Sequence, residues 1–270
     1  MNNLPTTSAI VVSYHTGPRL QECLYALKSD PDISEIILVD NGNAPGAEAW
    51  IDSFIARTDN ARLIRMGDNP GFGTAVNRGA ASALGDLVLI INPDAIIRRG
   101  SVGPLVAAMN GQQEPVLVGG KIFDLHGREE RGCRRNTLTL ARALGLGQWT
   151  LDGEPAPKGP IAVGAVSGAF FLMRRKAFRA IGGFDEGYFL HVEDVDLCRR
   201  VIEAGGAVIY QPLAGALHYG ATSDAPSSVV QGHKAQSLTR YFRKFAKGPL
   251  ERALVTAVSP LFAIALKLRA

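Results

Sequence analysis

An α/β fold, with helices alternating with strands around a largely parallel sheet, is what this 270-residue sequence predicts, and three observations predict it. Short apolar runs alternate with segments of helical spacing through the N-terminal half. Thirty glycines against 7% aromatic residues supply tight turns and close backbone approaches, unlike a bundle or coiled coil. Polar, turn-forming residues follow each early apolar run, at the strand ends where such sheets bind ligands.

Taken in order, strands are expected at Ala9–Ser13, Glu35–Asp40, Ala61–Arg65 and Leu87–Ile91, with helices at Pro18–Lys28, Ala47–Ala56 and Gly73–Ala83 between them. Pro18 suits a first helical turn, where a missing N–H costs nothing. This half reads as Rossmann-like. Beyond an apolar run at Val116–Lys121, the stretch to Pro160 has no clear period and reads as a variable surface loop, with Arg128, Arg131, Arg134 and Arg135 solvated. A run at Ala169–Met173, helical spacing at Arg174–Ile181 and His191–Glu203, and a last strand at Ala207–Tyr210 suggest a second sheet segment with a helix at the site.

Composition excludes several classes. Hydrophobic residues at 46% and charged ones at 20% describe a folded globular body. Cys23, Cys133 and Cys198 form no C-x-x-C pair, so neither a disulfide framework nor a zinc site is expected, and a reducing cytoplasmic compartment fits. The polar start lacks the pattern of a signal peptide. No P-loop, H-E-x-x-H or G-x-S-x-G motif occurs, and Gly71-Phe72-Gly73 follows the third strand where a dinucleotide fingerprint would follow the first.

Charge is uneven: residues 225–270 carry +7 and the remainder −3. A basic tail fits an anionic membrane surface or nucleic acid. Few aromatics interleave its basic residues, so stacking support for nucleic acid is thin and no nucleic-acid partner is expected.

Several segments can carry chemistry. The strand-end residues Ser13 and Tyr14, Asp40 and Asn41, Asn69 and Gly71, and Asn92 and Asp94 gather at one sheet edge. Gly71 before a helix lets a phosphate approach backbone N–H groups, and Asn77 adds a side chain. Asp94 can give a carboxylate to Mg²⁺ or Mn²⁺, ions that prefer oxygen and share ligands with substrate phosphates; a local hydrogen-bonded turn explains it equally well. Glu193, Asp194 and Asp196 crowd a helix N-terminus. Capping accounts for one or two of them, and repulsion among ionised neighbours raises the proton affinity of a carboxylate placed there, which suits a general base. His218 alone reads as structural, while His191 adjoins the acidic cluster.

In sequence, Val39-Asp40-Asn41-Gly42, Asn69-Pro70-Gly71-Phe72-Gly73 with Asn77-Arg78-Gly79, Asn92-Pro93-Asp94, Gly182-Gly183-Phe184-Asp185 and His191 through Arg200 resemble glycosyltransferase family 2, and more narrowly its rhamnosyltransferase-like branch. The resemblance covers roughly residues 8–220. It implies a GT-A fold with a mixed central sheet: a GT-A domain at 1–224, its nucleotide-sugar half at about 8–121 and a smaller acceptor-binding half at about 122–224, then a basic helical tail at 225–270. It implies an inverting transfer of a sugar, L-rhamnose from dTDP-L-rhamnose, to a hydroxyl of a surface polysaccharide or polyprenyl-diphosphate-linked saccharide. UDP-sugars, other deoxysugar nucleotides and a degenerate nucleotide-binding module are the alternatives. Carried over, Asp40 contacts the nucleoside beside Ser13 and Tyr14. Asn41, Asn69, Gly71, Phe72, Asn77, Asn92 and His191 line the donor or cleft. Asp94 and His218 hold a divalent metal, Mg²⁺ or Mn²⁺. Asp194 is the base, with Glu193 and Asp196 orienting it or the acceptor. Asn92 stands where many relatives have the first Asp of an Asp-x-Asp motif.

The tail bears on the acceptor. Ala253–Leu266 is uncharged but contains Pro260 and is short of the ~20 apolar residues a bilayer crossing needs. Leu254, Val258, Leu261, Phe262 and Ala265 share a helical face, with Arg240, Arg243, Lys244 and Lys247 upstream. The expectation is a helix lying on the inner face of the cytoplasmic membrane, or packed on the body or on a second subunit of a homodimer.

Overall fold

The computed structural model describes residues 5–220 and 227–267. The nucleotide-side elements are β1 (Thr7–Ser13), α1 (Arg19–Ser29), β2 (Glu35–Asp40), α2 (Pro45–Ala56), β3 (Ala61–Arg65), α3 (Phe72–Ser82) and β4 (Leu87–Ile91). Then come β5 (Ala95–Ile97), α4 (Val102–Met109), β6 (Val116–Phe123), β7 (Arg134–Arg135), α5 (Leu140–Ala143), β8 (Ile161–Ala162), β9 (Ala165–Val166), β10 (Phe170–Arg174) and α6 (Arg175–Ala180). The last elements are α7 (Glu193–Glu203), β11 (Ala207–His218), α8 (Ser227–Phe245) and α9 (Pro249–Lys267).

One mixed sheet runs in the order β3-β2-β1-β4-β10-β6-β11-β5, with β8 on β11, while β7 and β9 form a separate ribbon. β1, β2 and β4 are buried along their whole length, as parallel strands covered on both faces must be, which explains their unbroken apolar runs. Helix α3 lies so close to this sheet that a Cβ on Gly79 would sit 2.7 Å from Ile10 Cγ2. Registers Ser13↔Asp40 and Val11↔Ile91 bring the carboxyl ends of three parallel strands to one edge.

Three expectations need correction. The last strand runs on to His218 through an irregularity between Gln211 and Gly215, which no alternation announces. The stretch after Lys121 is not one solvated loop: Arg128 and Arg131 are exposed, but Arg134 and Arg135 form β7 and are buried. Arg134 is sheathed by Glu129 and the carbonyls of Glu154 and Pro155. The single amphipathic face expected in the tail also divides. Val255, Val258, Phe262 and Leu266 pack toward α8, with Phe262 stacked on Phe242 at 5.6 Å, whereas Leu254 and Leu261 face outward. Pro260 lies inside α9 without breaking it; Ser259 Oγ donates to the Thr256 carbonyl that Pro260 cannot reach.

Helix α8 is fastened to the body by charge. Arg240 and Lys244 both reach Asp185 at 2.7 Å, and Lys244 also reaches Asp196 at 2.7 Å. Two cations of the basic tail are thereby used as internal struts.

Candidate active site

Three clusters meet at the carboxyl edge of the parallel strands. In the first, Asp40 Oδ1 accepts from the Gly42 N–H at 3.1 Å and from Asn43 Nδ2 at 2.7 Å, an Asx turn that fixes the β2 exit. Ser13 Oγ donates to Asn43 Oδ1 at 3.1 Å, tying β1 to the same turn. The ring of Tyr14, 43% exposed, lies over Gly42 and offers an aromatic shelf beside a buried carboxylate. Asn41 Nδ2 donates to Asn69 Oδ1 at 2.7 Å, and that oxygen also accepts the Gly71 N–H at 3.1 Å. Asn41 Oδ1 is buried without a partner.

Gly71 caps α3 with φ +100°, and a Cβ there would meet the Phe189 carbonyl at 2.7 Å. Phe72 packs its ring on Phe184 at 5.9 Å. Asn77 is fully engaged: it accepts from Phe184 N–H at 2.9 Å and donates to Phe184 O at 2.9 Å and Glu186 Oε1 at 3.0 Å. Both Phe72 and Asn77, expected along the donor, thus hold the Gly182–Asp185 turn onto α3.

The second cluster follows β4. Antiparallel pairing of β5 with β11 places His218 opposite Ala95, next to Asp94. His218 Nε2 stands 3.2 Å from Asp94 Oδ1 and 3.2 Å from Asn92 Nδ2, while Nδ1 faces Glu130 Oε2 at 2.9 Å. Burial would lower the imidazole's proton affinity, but the hydrogen bonds and charges of Asp94 and Glu130 reverse this and raise it to about 9. One carboxylate oxygen and one imidazole nitrogen converge here, and a second carboxylate orients the ring from behind, which is how metal-binding histidines are held. The donor set fits a divalent ion that takes further oxygens from a ligand. Among the described residues, no group of three or more His, Cys, Asp or Glu side chains could hold an ion by itself.

The third cluster opens α7. His191 and Val192 both take left-handed φ values, +66° and +71°, so the chain turns sharply before the helix. The three acids then part company. Asp194 Oδ2 meets Arg135 Nη2 at 2.5 Å and the Gly168 N–H at 3.0 Å, and Oδ1 accepts from Val195 N–H at 2.8 Å. Burial would raise this carboxyl, yet Arg135 and the two N–H groups hold it below the usual aspartate range. The crowding argument therefore applies to Glu193 instead. It is buried with Oε2 unpartnered, and desolvation, then the Asp194 charge, push its carboxyl upward. Asp196 is completely buried and faces away, bonded to Arg200, Tyr188 and Lys244, so it anchors α7 to α8 and has no free edge toward the cleft. His191 Nε2 is buried without a partner, and burial lowers its imidazole to about 4.

Backbone bonds join the second cluster to the third. The Asn92 N–H donates to Ala169 O at 2.9 Å, and the preceding Gly168 donates to Asp194. Glu130 and Asn43 are absent from the residues expected at the site, and Arg135 is expected among solvated arginines. Asn43 stood within a readable Asx pattern, but nothing in the spacing separates Arg135 from the exposed arginines near it.

This geometry has known relatives. The glycosyl transferase family 2 model matches residues 8–182. The chain belongs to that family. It is 33% identical over 264 residues to N-acetylglucosaminyl-diphospho-decaprenol L-rhamnosyltransferase of Mycobacterium tuberculosis, covering 84% of this chain and 81% of that protein. It is 26% identical to rhamnosyltransferase WbbL of Escherichia coli K12, covering 78% and 82%. Crystalline GalNAc-T7 with UDP, GalNAc and Mn²⁺ superposes with a TM-score of 0.71 at 15% identity, over 98% of this chain and 55% of that one. The protein is a glycosyltransferase with a GT-A fold, in the rhamnosyltransferase-like branch of its family. In this glycosyltransferase the three clusters occupy one edge of a sheet that continues unbroken from β3 to β5.

Proposed function

We propose that this glycosyltransferase moves L-rhamnose from dTDP-L-rhamnose to a hydroxyl of a saccharide carried on a polyprenyl diphosphate, on the cytoplasmic side of the membrane, with inversion at the anomeric carbon. The observation that carries the reading is the backbone-linked approach of the Asp94–His218 pair to Asp194 at one sheet edge. Likeness to two rhamnosyltransferases, one named for a decaprenol-diphosphate-linked acceptor, supports the donor and acceptor classes.

In this reading the Tyr14 shelf, Ser13, Asp40 and Asn41 receive the nucleoside, with Asn69 and Gly71 bordering it. Asp94 and His218 would hold a divalent ion, Mn²⁺ or Mg²⁺, the ion displacing the proton and the Asn92 contact at His218 Nε2 while Glu130 orients the ring through Nδ1. Such an ion offsets negative charge on a departing nucleoside diphosphate. Asp194 accepts the acceptor hydroxyl's proton as that oxygen attacks the face opposite the leaving group. Its proton affinity, held low by Arg135, rises if acceptor binding draws the guanidinium away. Glu193, kept protonated by burial, gives Asp194 a neutral neighbour, and His191 borders the acceptor side. One protein base suffices, unlike the paired carboxylates of a glycosidase.

The test is turnover of a panel of sugar nucleotides with Mn²⁺ or Mg²⁺ and a GlcNAc-diphosphopolyprenol acceptor, comparing the native chain with Asp194→Asn and Asp94→Asn. Selective consumption of dTDP-rhamnose, abolished by either substitution, is expected. Preferential turnover of a UDP-sugar refutes the donor assignment, and full activity in Asp194→Asn refutes the base.

A further inference from the structure

Among the described residues, helix α9 leaves one face without a protein partner. Leu250 is 86% exposed, Leu254 52%, Leu261 46% and Ile264 54%, and Ala253, Ala257 and Pro260 between them are exposed as well. At 3.6 residues per turn these positions form a single stripe ~21 Å long. No charged residue interrupts it from Ala253 to Leu266. By length and composition alone, Pro249–Leu266 is apolar enough to cross a membrane. Its other face, however, is committed to α8 through Val255 and Phe262, and α8 is bolted to the body through Asp185 and Asp196.

Beside the stripe, α8 and α9 enclose an open cavity of about 740 Å³ lined by Gln236, Thr239, Arg240, Arg243, Lys244 and Arg252. Asp185 and Asp196 neutralise Arg240 and Lys244 from the inner side. Among the described residues Arg243 donates to the neutral Thr256 Oγ1, at 3.2 Å; exposed Arg252 and Lys247 add positive charge along the hairpin, and exposed Glu251, which accepts from the Lys247 backbone N–H, offsets one unit of it. The cavity between α8 and α9, on the flank of the helix that carries the stripe, is thus cationic.

We infer that the α8–α9 hairpin docks the protein on an anionic lipid bilayer, with the stripe in the interface and lipid phosphates against Arg243, Arg252 and Lys247. The arrangement is that of an interfacial helix, apolar on one side and basic at the boundary. A second copy of the chain is the weaker occupant. A two-fold contact through the stripe would bring the cationic flanks of both copies together, with Glu251 the single acid along this hairpin, among the described residues, to receive them. Docking here also has a consequence for the reaction. Ser237 of α8 bonds Leu190 O at 2.9 Å, and His233 packs on Phe189 at 4.7 Å. The bilayer would therefore lie on the side of the loop that leads to Asp194. This orientation rests on the proposed lipid-linked acceptor; the docking itself does not.

The experiment is flotation of the full chain with phosphatidylglycerol/phosphatidylcholine vesicles and with phosphatidylcholine alone, at low and high salt. Variants are Leu254→Glu/Leu261→Glu and Arg252→Glu/Lys247→Glu, all altered at exposed positions. Binding at least about tenfold stronger to the anionic vesicles, weakened by salt and lost in both variants with circular dichroism and Tm retained, is expected. Equal or absent binding to both vesicle types overturns the inference. So does a native dimer that Leu254→Glu/Leu261→Glu turns into monomer, or membrane protein that resists alkaline carbonate, which marks a spanning helix. Donor hydrolysis measured without vesicles in the same variants separates failure of docking from failure of the transferase reading: it should stay unchanged.

Discussion

Replacing Arg135 by Met isolates the electrostatics of the α7 acids. Arg135 is 8% exposed, its partner carboxylate 14%, and the pair is closed by a 2.5 Å contact. Removing one member of a buried pair leaves an uncompensated charge and costs about 3–5 kcal/mol. Loss of the donor to Val166 O, at 2.8 Å, adds about 1 kcal/mol. The sign with pH follows from the direction of the shift. Asp194 is held below its ordinary range in the folded protein, so its pairing stabilises above the unfolded aspartate pKa and is lost as pH falls through the depressed value. In Arg135→Met burial is opposed only by the Gly168 and Val195 N–H groups, so the Asp194 carboxyl rises and protonation relieves part of the penalty. Urea denaturation should therefore show the variant destabilised by about 4–6 kcal/mol at pH 7 and by clearly less near pH 4. With Asp194 as the base, the acidic limb of kcat/KM moves to higher pH as well. The double variant Arg135→Met/Asp194→Asn should recover about 1–3 kcal/mol relative to the summed single changes. Equal destabilisation at both pH values, or strict additivity, would refute the account.

Asn77→Ala removes three hydrogen bonds, two to Phe184 and one to Glu186, and should cost about 2–4 kcal/mol of unfolding free energy while leaving donor KM unchanged; a raised KM with normal stability would instead mean direct donor contact. Gly71→Ala places a Cβ 2.7 Å from Phe189 O at φ +100° and should lower stability by about 2 kcal/mol or more, measured calorimetrically, with weaker donor binding as α3 shifts. At Asp185, burial is outweighed by Lys244 and Arg240, which hold the carboxyl at about 2. This pairing stabilises above the unfolded pKa near 4 and fades between about 4 and 2. The full shift corresponds to about 2 kcal/mol, reduced to about 1 because the Arg240 side chain is 45% exposed. Asp185→Asn should accordingly flatten the Tm–pH curve in that window.

The parallel half of the fold was legible because its strands are covered on both faces, so burial itself writes unbroken apolar runs such as Ile36–Val39. Strand ends follow directly from those runs, and Ser13, Asp40, Asn41, Asn92 and Asp94 were found in that way. Beyond Lys121 the signal fails for a physical reason. β7, β8 and β9 are two residues long, below the length at which any period exists. Their pairing depends on partners far along the chain, as Arg134 with Val166 shows. A buried arginine in such a segment looks like its exposed neighbours until the carboxylate that neutralises it is located.

The acids of α7 show the same limit at the level of single residues. Glu193, Asp194 and Asp196 share one helical turn, and their common proximity to the helix N-terminus suggests a common effect on proton affinity. Their fates instead depend on which way each side chain leaves the helix. Asp196, two residues beyond Asp194, turns to Arg200, Tyr188 and Lys244 and is saturated. Asp194 turns to β7 and gains Arg135. Glu193 is buried with one oxygen unpartnered, and it carries the upward shift that crowding alone would have assigned to its neighbour. Spacing can place three carboxylates within reach of a substrate, but the charge each one keeps is set by side-chain partners 4 to 59 residues away in sequence.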